Sequence, residues 1–134
     1  GEGKRAYHHT APVNSLYALH ESLLILRQEG LKNSWARHQI KHQKLAQGFA
    51  EIGIKFIVPE TERLPQLNLV DIPQGLDDEK VRQYLLNEYN LEIGAGLGMF
   101  AGEAWRIGLM GFSAQNENVA LCLAALKDAL HRFR

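Results

Sequence analysis

The chain has 134 residues, 46% of them apolar, with 15 Lys and Arg against 15 Asp and Glu. That length predicts about one domain with an ordinary core, and balanced, interspersed charge gives no reason to expect nucleic acid or an anionic membrane surface as a partner. The single cysteine, Cys122, excludes an internal disulfide and fits a reducing, cytoplasmic setting. No apolar run reaches the roughly 20 residues that span a bilayer, and no signal peptide is expected.

Residues 1 to 11 read as an irregular lead-in. Pro12 suits the start of a helix, where a missing N–H costs nothing. From there "VNSLYALHESLLILRQEG" places Leu16, Leu19, Leu23 and Leu26 on one stripe, and Gly30 ends it. A second helix follows from about Leu31 to Ile52, with the stripe Leu31, Trp35, His38, His42, Leu45, Phe49 and Ile52. The texture then changes. "IKFIVP" (54–59) and "QLNLVDIP" (66–73) predict two strands. Asp77 is a candidate N-cap for a helix over 78–89, with Leu76 and Val81 placed for a hydrophobic staple. "NLEIG" (90–94) predicts a short strand, 94–103 a glycine-rich loop, and "AWRIGLM" (104–110) another strand. Ser113 or Asn116 caps a last helix to about Arg132, with Val119, Leu123, Leu126 and Leu130 on its buried face. The fold class is therefore α+β: helices packed on a small, mostly antiparallel sheet, preceded by a long helix.

Several constellations invite chemistry. "GAGLGMFAG" has a dinucleotide look, but the spacing is GxGxG and a strand follows where a phosphate-holding helix is needed. Its glycines suit positive φ and close backbone approach. His38 and His42 are four apart on a helix, yet "HQIKH" carries no carboxylate between them and no third ligand is evident, so a packed or partly exposed pair is expected and no metal. Cys122, mid-helix, reads as a small buried side chain with nothing to lower its pKa. "YHHT" (7–10) before a helix start reads either as a polar lead-in or as an anion site. Arg106 sits within an apolar strand. It is either an edge arginine with its head in water or a planar fork awaiting a carboxylate.

Two stretches carry a resemblance. "AYHHTAPVNSLYALHESL" and "LEIGAGLGMFAGEAWRIGLMG", followed by a helix near "QNENV", resemble the C-terminal part of class V aminotransferases, nearest the alanine–glyoxylate and serine–pyruvate group. The likeness covers nearly all 134 residues. It implies one small C-terminal domain (residues 12–134 after the 1–11 lead-in) of a fold-type I, pyridoxal-phosphate-dependent enzyme. It also implies a homodimer whose partner subunit's cofactor phosphate is reached by Tyr7 and Thr10, and Arg106 bound to the substrate α-carboxylate. The implied substrates are a small amino acid (alanine or serine) and a small 2-oxo acid (glyoxylate or pyruvate). In that family the Schiff-base lysine belongs to the large domain, upstream of YHHT. Lysines 4, 32, 41, 44, 55, 80 and 127 match no such motif. The chain alone is thus expected to hold no pyridoxal 5'-phosphate and to be inactive without a large-domain partner. The alternative is a non-catalytic split subunit or interaction module built on that fold. A desulfurase-like branch is disfavoured, because Cys122 lies mid-helix rather than in a catalytic loop.

Overall fold

A computed structural model describes residue 3 and residues 8–134. Two compact units are present, Gly1–Trp35 and Ala36–Arg134.

The first unit holds α1 (Val13–Glu29) and the opening of α2 (Leu31–Ile52). Pro12 stands one residue outside α1, as its N-cap, and no side chain caps that end. Gly30, at φ 83°, ends the helix and returns its N–H to the Leu26 carbonyl. None of the residues of α1 is buried, and Leu16, Leu19 and Leu23 are exposed.

The second unit is built on a three-stranded antiparallel sheet of β1 (Leu67–Asp71), β2 (Gly94–Ala95) and β3 (Ala104–Gly108), in the order β1-β3-β2. Between the strands lies α3 (Asp78–Tyr89), and α4 (Asn116–Phe133) closes the chain. Asp77 caps α3 as its spacing predicts, its side chain accepting the Lys80 N–H at 3.0 Å. Val81 is in the core and Leu76 packs against it, as a staple requires. Gln115, not Ser113 or Asn116, occupies the N-cap of α4. The stretch 54–59 does not form a strand. It makes one bridge, Phe56 to Val70, and runs beside β1 through Ile57 N–H to Leu69 O at 3.1 Å and Asp71 N–H to Lys55 O at 2.8 Å. The strand expected over 90–94 begins only at Gly94. Asn90, at φ 50°, is still the left-handed cap of α3.

One face of the sheet makes the core. Val70, Trp105 and Ile107 pack with Leu45 and Phe49 of α2, Val81 and Leu85 of α3, and Leu126 and Leu130 of α4. Helices α2 and α4 meet closely. A Cβ at Gly48 would stand 2.2 Å from a methyl of Leu123, so a larger residue there would force the Leu123 side chain to move.

Candidate functional site

Alternation along β3 separates its two faces. Ala104, Trp105 and Ile107 are buried, whereas Arg106 is half-buried. Directly opposed residues in an antiparallel pair share a face. Arg106 opposes Leu69 on β1 and Gly94 on β2, so these three share the face turned away from the core. The edge-strand reading of Arg106 is therefore overturned. β3 is the central strand, hydrogen-bonded on both sides.

The Arg106 side chain is held but not neutralised. Its Nε–H donates to the Ala95 carbonyl at 2.7 Å. Among the described residues no carboxylate pairs with it, which leaves the outer edge of the planar fork available. Gly94 makes room beside it: a Cβ there would lie 3.3 Å from an Arg106 terminal nitrogen. Arg106 opens into a cleft of about 300 Å³ whose walls include Phe56, Leu64, Leu67, Leu97 and Phe100. Arg63 also lines it. Its Nε–H donates to Val58 O at 2.8 Å, and its guanidinium carbon lies 4.1 Å from the centroid of Phe56. Sequence reasoning passed over Arg63, since "PETERLPQ" reads as a charged surface turn and nothing local marks its stacking on Phe56.

The glycine loop shapes the rim of the site. A Cβ at Gly96 would sit 1.8 Å from the Phe100 carbonyl oxygen, and Gly98 adopts φ 57°. The dinucleotide look of this loop thus has a packing cause, and the chain continues from it into a short turn and β3 rather than a helix.

Behind β3, polar groups hold the strand in place. The Trp105 Nε1–H donates to Asp78 Oδ1 at 2.9 Å, and Arg82 grips the same carboxylate through two bonds of 2.8 and 3.1 Å. The hydrogen bond from Arg82 is the main cause that holds the Asp78 carboxyl below its ordinary value, against a smaller opposing effect of burial. His42 Nδ1 pairs with Asn68 Oδ1 at 2.8 Å, and Asn68 Nδ2 donates to Ile107 O at 3.2 Å. His38 Nε2 accepts the Gly111 N–H at 3.0 Å. Both histidines are buried and separately engaged, and no cluster of three metal-ligating side chains exists among the described residues. Cys122 is buried, and burial pushes its thiol up to about 12, which suits a packing role.

The two residues of YHHT with an implied role fall differently. Tyr7 lies outside the described residues. Thr10 is exposed, with no hydrogen-bond partner for its hydroxyl among the described residues.

No family profile matches the chain. Individual relatives do. It is 43% identical over 131 residues to alanine–glyoxylate aminotransferase of Rattus norvegicus, covering 96% of this chain and 32% of that protein. It is 38% identical over 129 residues to (S)-ureidoglycine–glyoxylate transaminase of Bacillus subtilis, covering 96% and 31%. Among solved structures, alanine–glyoxylate aminotransferase from Nostoc sp. superposes with a TM-score of 0.88 at 48% identity, over 94% of this chain and 33% of that one. Pyridoxamine–pyruvate aminotransferase from Mesorhizobium loti gives 0.88 at 26% identity, over 96% and 33%. In sequence and in fold the chain is similar to the C-terminal region of class V, pyridoxal-phosphate-dependent aminotransferases. Its relatives in that class include alanine–glyoxylate aminotransferases, and it spans about a third of the length of the relatives it matches.

Proposed function

We propose that this chain is the substrate-carboxylate half of an aminotransferase active site. The full-length protein would move an amino group between a small amino acid, alanine or serine, and a small 2-oxo acid, glyoxylate or pyruvate. The supporting observation is Arg106: a charged fork on the outward face of a central strand, fixed by the Ala95 carbonyl and left without an acidic partner among the described residues. A guanidinium so placed is preorganised for a two-point contact with a carboxylate. The apolar walls around it lower the local dielectric and strengthen that contact.

The donor set also fits a cofactor phosphate. Thr10 offers an exposed hydroxyl with no partner among the described residues, and Tyr7 lies three residues before it in the sequence. Both would hold the phosphate of pyridoxal 5'-phosphate bound by a neighbouring subunit of a homodimer. When bound, that cofactor supplies the electron sink for bond cleavage at the substrate α-carbon. This chain's own residues would bind and orient. Arg106 fixes the carboxylate end of the substrate, and the walls of its cleft exclude water from that contact. The large domain supplies the imine-forming lysine.

The test is an amino-transfer assay on the full-length protein, pairing alanine and serine with glyoxylate and pyruvate. Formation of glycine from glyoxylate, or of alanine from pyruvate, is the expected result, and no transfer with any pair overturns the reading. This chain alone, mixed with pyridoxal 5'-phosphate, should give no imine absorption that survives dialysis. A stoichiometric adduct at one lysine would show that it can hold the cofactor unaided.

A further inference from the structure

The residues on either side of Arg106 are tied to different helices. Trp105 reaches Asp78 of α3 through its indole N–H. Ile107 is held through β1: its carbonyl accepts an N–H of the Asn68 side-chain amide at 3.2 Å, and the amide oxygen of Asn68 meets His42 Nδ1 of α2 at 2.8 Å. Because the amide nitrogen is turned to Ile107, the amide oxygen faces the ring, so His42 Nδ1 carries the proton and donates. Asn68 stands where the pattern of the strand calls for an apolar residue. It is 1% exposed, on the core face of β1 with Val70, directly opposite Ile107. A leucine would meet the packing need there, and a buried amide is costly unless its polar atoms are bonded. What the amide adds is direction. Apolar contacts are indifferent to small slides of a strand, whereas a hydrogen bond fixes the carbonyl that accepts it. That carbonyl belongs to the residue after Arg106. His42 also lies edge-on to Phe56, with ring centroids 5.7 Å apart, and Phe56 is a wall of the Arg106 cleft. One buried relay thus touches both the strand that carries the guanidinium and a wall of the space beside it.

We propose that Asn68 is a positioning residue for Arg106, and that His42 holds the Asn68 amide in the orientation this requires. The proposal rests on the carboxylate role of Arg106. A two-point clamp works only in register with its ligand, and a misplacement of about 1 Å can cost ~100-fold in rate.

The experiment is a double-variant cycle on the full-length enzyme, read as kcat/KM for its amino-acid donor. Asn68→Leu keeps the volume and loses the amide, and should lower kcat/KM at least about tenfold. Added to Arg106→Ala, it should cost nothing further, since a positioning residue then has nothing left to position. His42→Leu should match Asn68→Leu. His42→Asn should keep most of the parent rate, because its amide nitrogen can stand where Nδ1 stood. The proposal is overturned if Asn68→Leu stays within about threefold of the parent. It is equally overturned if the losses of Asn68→Leu and Arg106→Ala multiply, the mark of a residue that serves only the fold. Where Asn68→Leu does not fold, His42→Leu and its combination with Arg106→Ala carry the same comparison. A His42→Asn variant no better than His42→Leu removes His42 from the relay. Arg106→Ala alone separates the two readings. If it loses less than about threefold, the carboxylate assignment fails and this proposal falls with it. A large Arg106→Ala loss beside an unchanged Asn68→Leu variant overturns this proposal alone.

Discussion

The two faces of β3 use the same backbone for opposite purposes. On the inner face Trp105 is fully buried and its indole N–H ends on Asp78. On the outer face Arg106, one residue along, keeps most of its donors uncommitted among the described residues, beneath the exposed Leu64, Leu67 and Leu97. The inner face is complete: its apolar groups are packed and its polar atoms are paired. The outer face is an unfinished half. It has shape and charge, and under the function proposed above a substrate and the large domain would complete it. A strand anchored firmly on one side can thus hold a cation in a fixed place on the other.

The comparison breaks first if the inner face proves dispensable. Trp105→Ala removes a fully buried indole and should cost about 3–5 kcal/mol. Thermal unfolding of this chain should show the largest drop of the set. A Tm within a degree of the parent would mean that the inner face does not hold the strand.

The outer face should respond in rate rather than in stability. Arg106→Ala in the full-length enzyme should lower kcat/KM for amino-acid donors by roughly 30-fold to several thousand-fold, the equivalent of about 2–5 kcal/mol for a truncated, desolvated charge pair. Its effect on unfolding should stay within about 0.5 kcal/mol. Arg106→Lys should recover only part of the rate. With an amine lacking a carboxylate, most of the defect should vanish. A loss below about threefold with the amino acid would return Arg106 to a surface role.

The inner face is tied to α3 through Asp78. Asp78→Ala leaves the Trp105 N–H without an acceptor and should cost about 1–3 kcal/mol in thermal unfolding. The acid dependence has a definite sign. The folded-state pKa of Asp78 is lowered, chiefly by the Arg82 hydrogen bond, so its contribution is complete above the ordinary carboxylate value of 3.8. The contribution is lost as pH falls from there through the folded-state value. Tm measured from pH 5 down to pH 2 should therefore fall less steeply in Asp78→Asn than in the parent. Equal slopes would show that this carboxylate does not carry the coupling.

The smallest effect belongs to the apolar rim. Leu67 is 44% exposed, and Leu67→Ala should change the unfolding of this chain by no more than about 0.5 kcal/mol. Repeated in the full-length protein the cost should rise, because a covering domain turns a rim leucine into a packed one. Identical costs in both settings would show that nothing covers this face.

Much of the fold is legible in the chain because its signals are local. The helix at 78–89 is announced by its own cap and staple, and both are present. Asp77 needs only the N–H three residues ahead of it. The two histidines, four apart on α2, are both buried, and each has its own hydrogen-bond partner. Non-local features fare worse. Two leucine-striped helices, α1 and α4, look alike in sequence, yet α4 buries Val119, Leu126 and Leu130 while α1 has half-buried residues at most. A stripe states that a partner is wanted and not which one. The 54–59 stretch has strand composition but makes a single bridge, since pairing depends on the neighbour as well as on propensity. At the candidate site Arg106 stands out because charge interrupts an apolar run. Arg63 and Phe56, seven residues apart across a proline-bounded turn, carry no signal of their stacking.

Local signals in the chain carried the approximate extents of the four helices, the placing of a charged Arg106 within an apolar strand and, through "YHHT" and "RIG", the family the chain resembles. These follow from the 3.6 and 2.0 periodicities, from caps a few residues long, and from motif order. Tertiary structure alone decided that β3 is the central strand, that Ala95 fixes the Arg106 guanidinium, and that Arg63 lines the same cleft. Each depends on which distant segments lie side by side. That is settled by the packing of Val70, Trp105 and Ile107 against α2, α3 and α4, an arrangement that no single stretch of the chain encodes.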